Sequence, residues 1–253
     1  MKRDTEKKLP TLPVDSGRIL AYRERCQKPR HMEEIWSWFV LRRISIYVTL
    51  MLSRTPLTPN GISWISLLFF GLTGWFLLTG NPWGWLLAVL SYNLGYLCDC
   101  MDGELARIKG ITSDRGVFLD TLIRALSIPV WSAAALMIPP AFGWGEWGLA
   151  AASWVYGIVL VSTLALLVPL SFNYIHVKRD ENDPVSYMRT QSGVMEWIAF
   201  LTGMPGYFAM LPLVILADAL TGMPVMAGFT AVFLLMLAAK TFLRLYLTTS
   251  KLN

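Results

Sequence analysis

Residues 61–80 form a run of 20 positions without one charged side chain. As a helix rising 1.5 Å per residue, such a run covers the roughly 30 Å hydrocarbon core of a bilayer. It confines the chain to folds that a membrane accepts. Further uncharged runs lie at 83–98, 147–175, 197–217 and 219–239. The first of these is too short to span alone and must continue into the polar residues after it. Between 116 and 139 another apolar stretch is interrupted by Asp120 and Arg124, which a membrane tolerates only where they face protein or a wet cavity. The pattern predicts an all-α integral membrane protein with six transmembrane helices over about 59–249. Composition points the same way, since 15% of residues are charged where soluble domains carry about 25%. Three Cys and two His exclude disulfide scaffolds, zinc fingers and multi-histidine metal sites.

Lys and Arg are unevenly spread. Residues 1–54 hold twelve of them against six Asp and Glu, leaving ten against eleven for the rest. Segments near 80–82, 140–147 and 218–224 contain none. The opposite helix ends carry Arg107, Lys109, Arg115, Lys178, Arg179, Arg189, Lys240, Arg244 and Lys251. Positive loops stay inside, so both termini are expected to be cytoplasmic, in a bacterial plasma membrane. Residues 1–16 show no apolar h-region, and no cleaved signal peptide is expected. Residues 1–34 read as a basic cytoplasmic tail with little fixed structure. Residues 35–53 are apolar, but Arg42 and Arg43 sit at their centre beside Trp36 and Trp38. Such a segment suits an interfacial amphipathic helix whose arginines reach lipid phosphates. Residues 35–253 then make a single membrane domain, without internal repeat or soluble module, and no nucleic-acid partner is expected. Trp83, Trp85, Trp144 and Trp147 suit interface belts.

The chemistry concentrates in Asp99, Asp102, Gly103, Ala106 and Arg107, followed by Gly116 and Asp120. Three residues apart on a helix, Asp99 and Asp102 share a face at the cytoplasmic end of the second span. Asp120, near the start of the next helix, can supply a third oxygen. Carboxylate oxygens without His or Cys select Mg²⁺, Mn²⁺ or Ca²⁺. Gly103 and Gly116 leave room for close approach, and the planar fork of Arg107 suits a phosphate. Metal and arginine together imply a phosphorylated substrate. A lone aspartate pair at this spacing is more often a cap or a solvated face. Buried unpaired carboxylates cost several kcal/mol each, so the whole set in two membrane helices favours function.

Asp99 through Asp120 resembles the CDP-alcohol phosphotransferase family, whose signature reads D-x-x-D-G-x-x-A-R, eight residues, then G-x-x-x-D-x-x-x-D. Residues 57–60, Leu-Thr-Pro-Asn, leading into the first span, are similar to that family as well. The resemblance implies a six-span, dimeric membrane enzyme that moves a substituted phosphate from a CDP-alcohol to an acceptor alcohol and releases CMP. It implies polar-lipid synthesis, a Mg²⁺ or Mn²⁺ site on Asp99, Asp102 and Asp120, and nucleotide binding by Asp99, Asp102, Gly103, Ala106, Arg107 and Gly116. One position departs. Where the family has a fourth aspartate, which holds a second metal and serves as base, this chain has Arg124.

Arg124 lies four residues after Asp120, within reach of an intrahelical pair or of the diphosphate itself. As a substitute base, Glu104 falls roughly 200° from Asp102 around the helix, and Asp114 precedes the third span in a loop. Lys178 and Arg179, after the fourth span, could bind an acceptor phosphate, though topology alone explains them. His31 and His176 have no evident Ser, Cys or metal partner, so a catalytic triad has no support. Cys98 and Cys100 read as packing residues. The alternative to an active transferase is a silent relative that binds CDP-alcohol or a partner without turnover. A transporter is disfavoured, because the charges cluster at one face and not at the midplane.

Overall fold

The structure, a computed structural model, describes residues 9–111, 113–144, 149–176 and 192–252. Every regular element among them is helical. α1 spans Gly17–Cys26 and α2 Arg42–Leu52, with a 3-10 turn at Arg30–Met32 and a π turn at Ser37–Leu41 between them. Then follow α3 (Pro59–Leu77), α4 (Pro82–Lys109), α5 (Asp114–Ala125), α6 (Ser127–Leu136), α7 (Ile138–Ala141), α8 (Leu149–His176), α9 (Gly193–Leu201), α10 (Met204–Thr221) and α11 (Val225–Leu252). The chain divides into two compact units, Met1–Phe69 with Asn93–Ile123, and Phe70–Tyr92 with Arg124–Asn253.

Five helical stretches among the described residues are long and apolar enough to cross a membrane: Pro59–Leu77, Asp114–Ala141, Leu149–Ser171, Met204–Thr221 and Val225–Ser250. α4 falls outside this group, with Asp99, Asp102, Glu104, Arg107 and Lys109 gathered in its last eleven residues. Its 28 residues nevertheless run unbroken, about 42 Å at 1.5 Å per residue. The short apolar run therefore does continue into polar residues. The Asp114–Ala141 stretch is broken after Ala125 and after Leu136. Pro129 and Pro140, each four residues on, lack the N–H that those carbonyls would accept.

The uncharged run at 197–217 is not one helix. α9 begins at the Ser192 cap, whose hydroxyl accepts the Met195 N–H at 3.1 Å, and ends at Leu201. The break is so tight that a Cβ on Gly206 would sit 2.2 Å from the Phe200 carbonyl oxygen. Only glycine passes there. α10 opens with Pro205 in its first turn and closes at Gly222, in the left-handed region at φ +64°.

Aromatic packing fills the second unit. Tyr207, Phe208 and Phe233 are fully enclosed, and Trp131 meets Tyr207 edge-on at 5.2 Å and stacks on Phe233 at 5.6 Å. Tyr92 stacks on Phe208 at 4.1 Å. The buried Tyr207 hydroxyl is paired with Thr230 at 3.0 Å, as burial of a phenol requires. Trp85 belongs to this interior, at 9% exposure, and not to an interface belt. Trp83 and Trp144 are exposed; Trp147 lies outside the described residues.

Residues 9–34 of the expected tail carry fixed structure in the first unit, and residues 1–8 lie outside the described residues. Ser16 caps α1, and Arg23, 0% exposed, reaches from α1 into the protein. Its Nε donates to Asp15 at 2.8 Å, and its Nη1 and Nη2 donate to the Arg42 and Arg43 carbonyls at 2.8 and 2.9 Å. Asp15 also accepts the Tyr47 hydroxyl of α2. Arg42 does not reach for lipid. It is buried, 3.0 Å from both Glu33 and Glu104, and its Nη1 donates to the Cys100 carbonyl at 2.8 Å. Burial disfavours its charge, but Cys100, Glu33 and Glu104 outweigh that and raise its pKa.

Glu104 is the centre of this arrangement. It is 0% exposed. One carboxylate oxygen accepts from Gln27 (2.8 Å), Arg42 (3.0 Å) and Ser45 (2.7 Å), and the other from Thr49 (2.9 Å). Removing one partner of a buried pair leaves an uncompensated charge, at a cost of about 3 to 5 kcal/mol. Glu104→Ala should therefore lower the melting temperature in detergent markedly, by several degrees. A melt within about two degrees of wild type would contradict the role assigned to it.

Asp15 carries a second prediction. Burial raises its pKa, but hydrogen bonds from Arg23, Tyr47 and the Leu12 N–H prevail and leave it below the ordinary 3.8. An acid held below its unfolded value stabilises the fold above that value and loses the contribution as pH falls through the native one. Asp15→Asn should thus be less stable than wild type at neutral pH, with the gap closing as pH drops below 3.8. Unfolding measured across an acid series checks it; a gap that does not narrow contradicts it.

Candidate functional site

The candidate site forms where α4 ends and α5 begins, within the first unit. Gly110 takes a left-handed φ of +67°, and the Ile111 N–H returns to the Ala106 carbonyl at 3.0 Å. That closure ends α4 and reverses the chain. Ser113 then starts α5, its hydroxyl accepting the Gly116 N–H at 3.3 Å. Two turns later α5 delivers Asp120, close enough to Asp102 for the two charges to act on each other.

Asp99 and Asp102 are half-buried, one turn apart on α4. Asp102 Oδ2 accepts a short hydrogen bond, 2.5 Å, from Ser63 of α3, so its rotamer is set from a neighbouring helix. Asn60, also on α3, meets the Ser113 hydroxyl at 3.4 Å. Lys109 Nζ donates to the Thr55 and Leu57 carbonyls at 3.0 and 2.8 Å, which pins the turn into α3. Beneath these polar groups Ile62, Cys98, Met101 and Leu105 form an apolar floor. Cys98 and Cys100 are buried free thiols, as packing residues should be.

Arg107 lies over Gly103. A Cβ at 103 would come within 3.3 Å of Arg107 Nη2. Arg107 Nε donates to the Cys26 carbonyl, while Nη2 is buried without a hydrogen-bond partner. A buried guanidinium nitrogen left unsatisfied is costly. Its chemistry suits an anion.

The structure places the other sequence-derived candidates as follows. Ala106 lies half-buried on α4 beside Arg107. Gly116 is in the first turn of α5, where an added Cβ would meet Asn60 and Ser113 only at 3.7 and 3.8 Å. Arg124 is exposed, one turn beyond Asp120 in the last turn of α5. Asp114 is not in a loop; it opens α5 and is exposed. An acidic residue there complements the helix dipole. Glu104 faces away from the aspartates, into the Arg42 network. Lys178 and Arg179 lie outside the described residues.

The donor set is entirely carboxylate oxygen, the chemistry of a hard divalent cation. Among the described residues, no three His, Cys, Asp or Glu side chains gather tightly enough to form a ready metal cage. Ser63 and Ser113 escaped the sequence reading, and Asn60 entered it only as part of the turn into the first span. Asn60, Ser63 and Ser66 recur every three residues along α3, and this polar stripe in an apolar helix was the available signal.

A family model described as CDP-alcohol phosphatidyltransferase matches residues 56–249. Among curated proteins, none matches the chain.

Gly116 supplies a structural control. Its methyl would make ordinary contacts, so Gly116→Ala should leave the melting temperature within about two degrees of wild type. A large destabilisation, measured in detergent, would show that the glycine serves packing and keeps no space open.

Proposed function

The chain belongs to the CDP-alcohol phosphatidyltransferase family, and from that premise we propose that it moves a substituted phosphate from a CDP-alcohol to an acceptor alcohol in polar-lipid synthesis. The acceptor oxygen attacks the β-phosphorus, the bond from that phosphorus to the CMP oxygen breaks, and the hydroxyl proton is lost to a base. The observation that carries this reading is Arg107 Nη2, buried and unpartnered above Gly103 beside the aspartate end of α4. A diphosphate is the ligand that such a nitrogen suits.

In this reading Asp99, Asp102 and Asp120 hold Mg²⁺ or Mn²⁺, and Gly103, Ala106, Arg107 and Gly116 line the nucleotide. Bound there, a divalent cation would neutralise the diphosphate and stabilise CMP as it leaves. Ser63 keeps Asp102 oriented for that role. Lys178 and Arg179 are assigned to the acceptor phosphate on charge alone. α4 serves as the sixth span, both termini and the site face the cytoplasm, and the protein works as a homodimer. The concentration of Lys and Arg at one set of helix ends supports the orientation. α2 lies at the interface, with Ile44 and Met51 exposed on its outer side to meet lipid.

Arg124 favours a second reading. A guanidinium cannot accept a proton at neutral pH, and it adds positive charge where the family has a carboxylate. A silent relative that binds CDP-alcohol without turnover fits that position equally well. Metal-dependent CMP release from a panel of CDP-alcohols distinguishes the two. Neither release nor CDP binding would overturn both.

Two outcomes follow from these roles. Arg107→Ala should weaken CDP binding by roughly tenfold, the worth of a charge-assisted contact, and equal affinities by calorimetry would refute the assignment. Arg124→Asp restores a base, a group worth about 10² to 10⁴ in rate, and should raise CMP release at least about tenfold. Fast turnover in the wild type, abolished by the same change, would instead give the arginine an active part at the phosphates.

A further inference from the structure

α1 and the residues after it lie outside the family-matched region, yet they touch the site at Arg107. Cys26, the last residue of α1, is 0% exposed, and its carbonyl accepts from Arg107 Nε. A cation at a helix C-terminus also meets the negative end of the dipole. The next residue, Gln27, is 3% exposed, and both ends of its side-chain amide are bonded. Its amide nitrogen donates to Glu104 and to the Arg42 carbonyl, both at 2.8 Å, and its oxygen accepts from Arg23 at 3.3 Å. Glu104 and Arg107 are three residues apart on α4. The end of α1 is thus clamped to α4 through one of them while it holds the guanidinium of the other.

We infer that Gln27 is a positioning residue for the donor's phosphates: clamped to Glu104, it sets the Cys26 carbonyl that orients Arg107 and leaves Nη2 uncommitted. A flexible arginine without this tie would sample many rotamers, and ordering it would oppose binding. Committing Nε to protein leaves the Nη2 edge for an anion. The inference rests on the reading of Arg107 as a phosphate ligand.

The test uses the full-length protein in detergent, as wild type, Gln27→Ala, Arg107→Ala and the double variant. Calorimetry with Mg²⁺ gives CDP affinity, and phenylglyoxal labelling of Arg107, followed by mass spectrometry, reports how firmly the guanidinium is held. Gln27→Ala should weaken CDP binding about threefold to tenfold, with no further loss in the Arg107→Ala background. Labelling of Arg107 should rise several-fold. Equal loss in both backgrounds, or unchanged labelling, overturns the inference. Where Gln27→Ala fails to fold, Gln27→Asn keeps the amide but shortens it by one methylene, and the same comparisons decide. If the wild type binds no CDP, the nucleotide reading fails on its own; raised labelling still supports the tie, and unchanged labelling overturns it.

Discussion

The charge of Glu104 must be met inside the protein, and much of the first unit is arranged to meet it. A buried carboxylate without partners is prohibitively costly, and its ion pair with a buried arginine repays that cost only when remaining lone pairs and protons are satisfied. Arg42, Ser45 and Thr49 of α2 and Gln27 after α1 supply four donors from two stretches of chain. Arg42 is in turn shared with Glu33, whose other oxygen accepts the Ser37 hydroxyl at 2.6 Å. Such a network holds only in one arrangement. It specifies how the N-terminal segment docks more sharply than apolar contact would, because apolar surfaces tolerate sliding and hydrogen bonds do not.

The consequence is a helix with separate polar faces. Within nine residues α4 carries Asp99, Asp102, Glu104 and Arg107. Glu104 turns to the N-terminal segment, and Asp102 turns to Ser63 of α3. Earlier turns of α4 take the same partners, since Asn93 accepts from Trp36 at 2.8 Å and Tyr96 donates to Glu34 at 3.1 Å. An element more polar than the five apolar stretches is therefore built into the protein by paired polar groups. Arg107 belongs to both faces, through Cys26 on one side and Gly103 on the other.

The division between runs and turns was legible because it follows from local chemistry. Apolar length, the polar continuation of α4 and the aspartate motif all depend on neighbours in sequence. The aspartate spacing is a helix-face argument and needs no tertiary information. The split of residues 197–217 was hidden, although Gly203, Pro205 and Gly206 stand in it. Small and cyclic residues are tolerated inside membrane helices, so hydropathy alone does not show a break. Glu104 was legible only as pointing away from the aspartates.

The sequence by itself determined the helical class, the membrane setting and which carboxylates could share a face, since all three rest on periodicity and on the absence of charge. Tertiary structure decided what those charges meet. Arg42 reads as a lipid-facing residue until Glu33 and Glu104 are seen to enclose it, and residues 9–34 read as a tail until Arg23 and Gln27 are seen to be buried. The physical reason is that the cost of a buried charge depends on partners far away in sequence; Gln27 and Glu104 are 77 residues apart. No local pattern carries that distance.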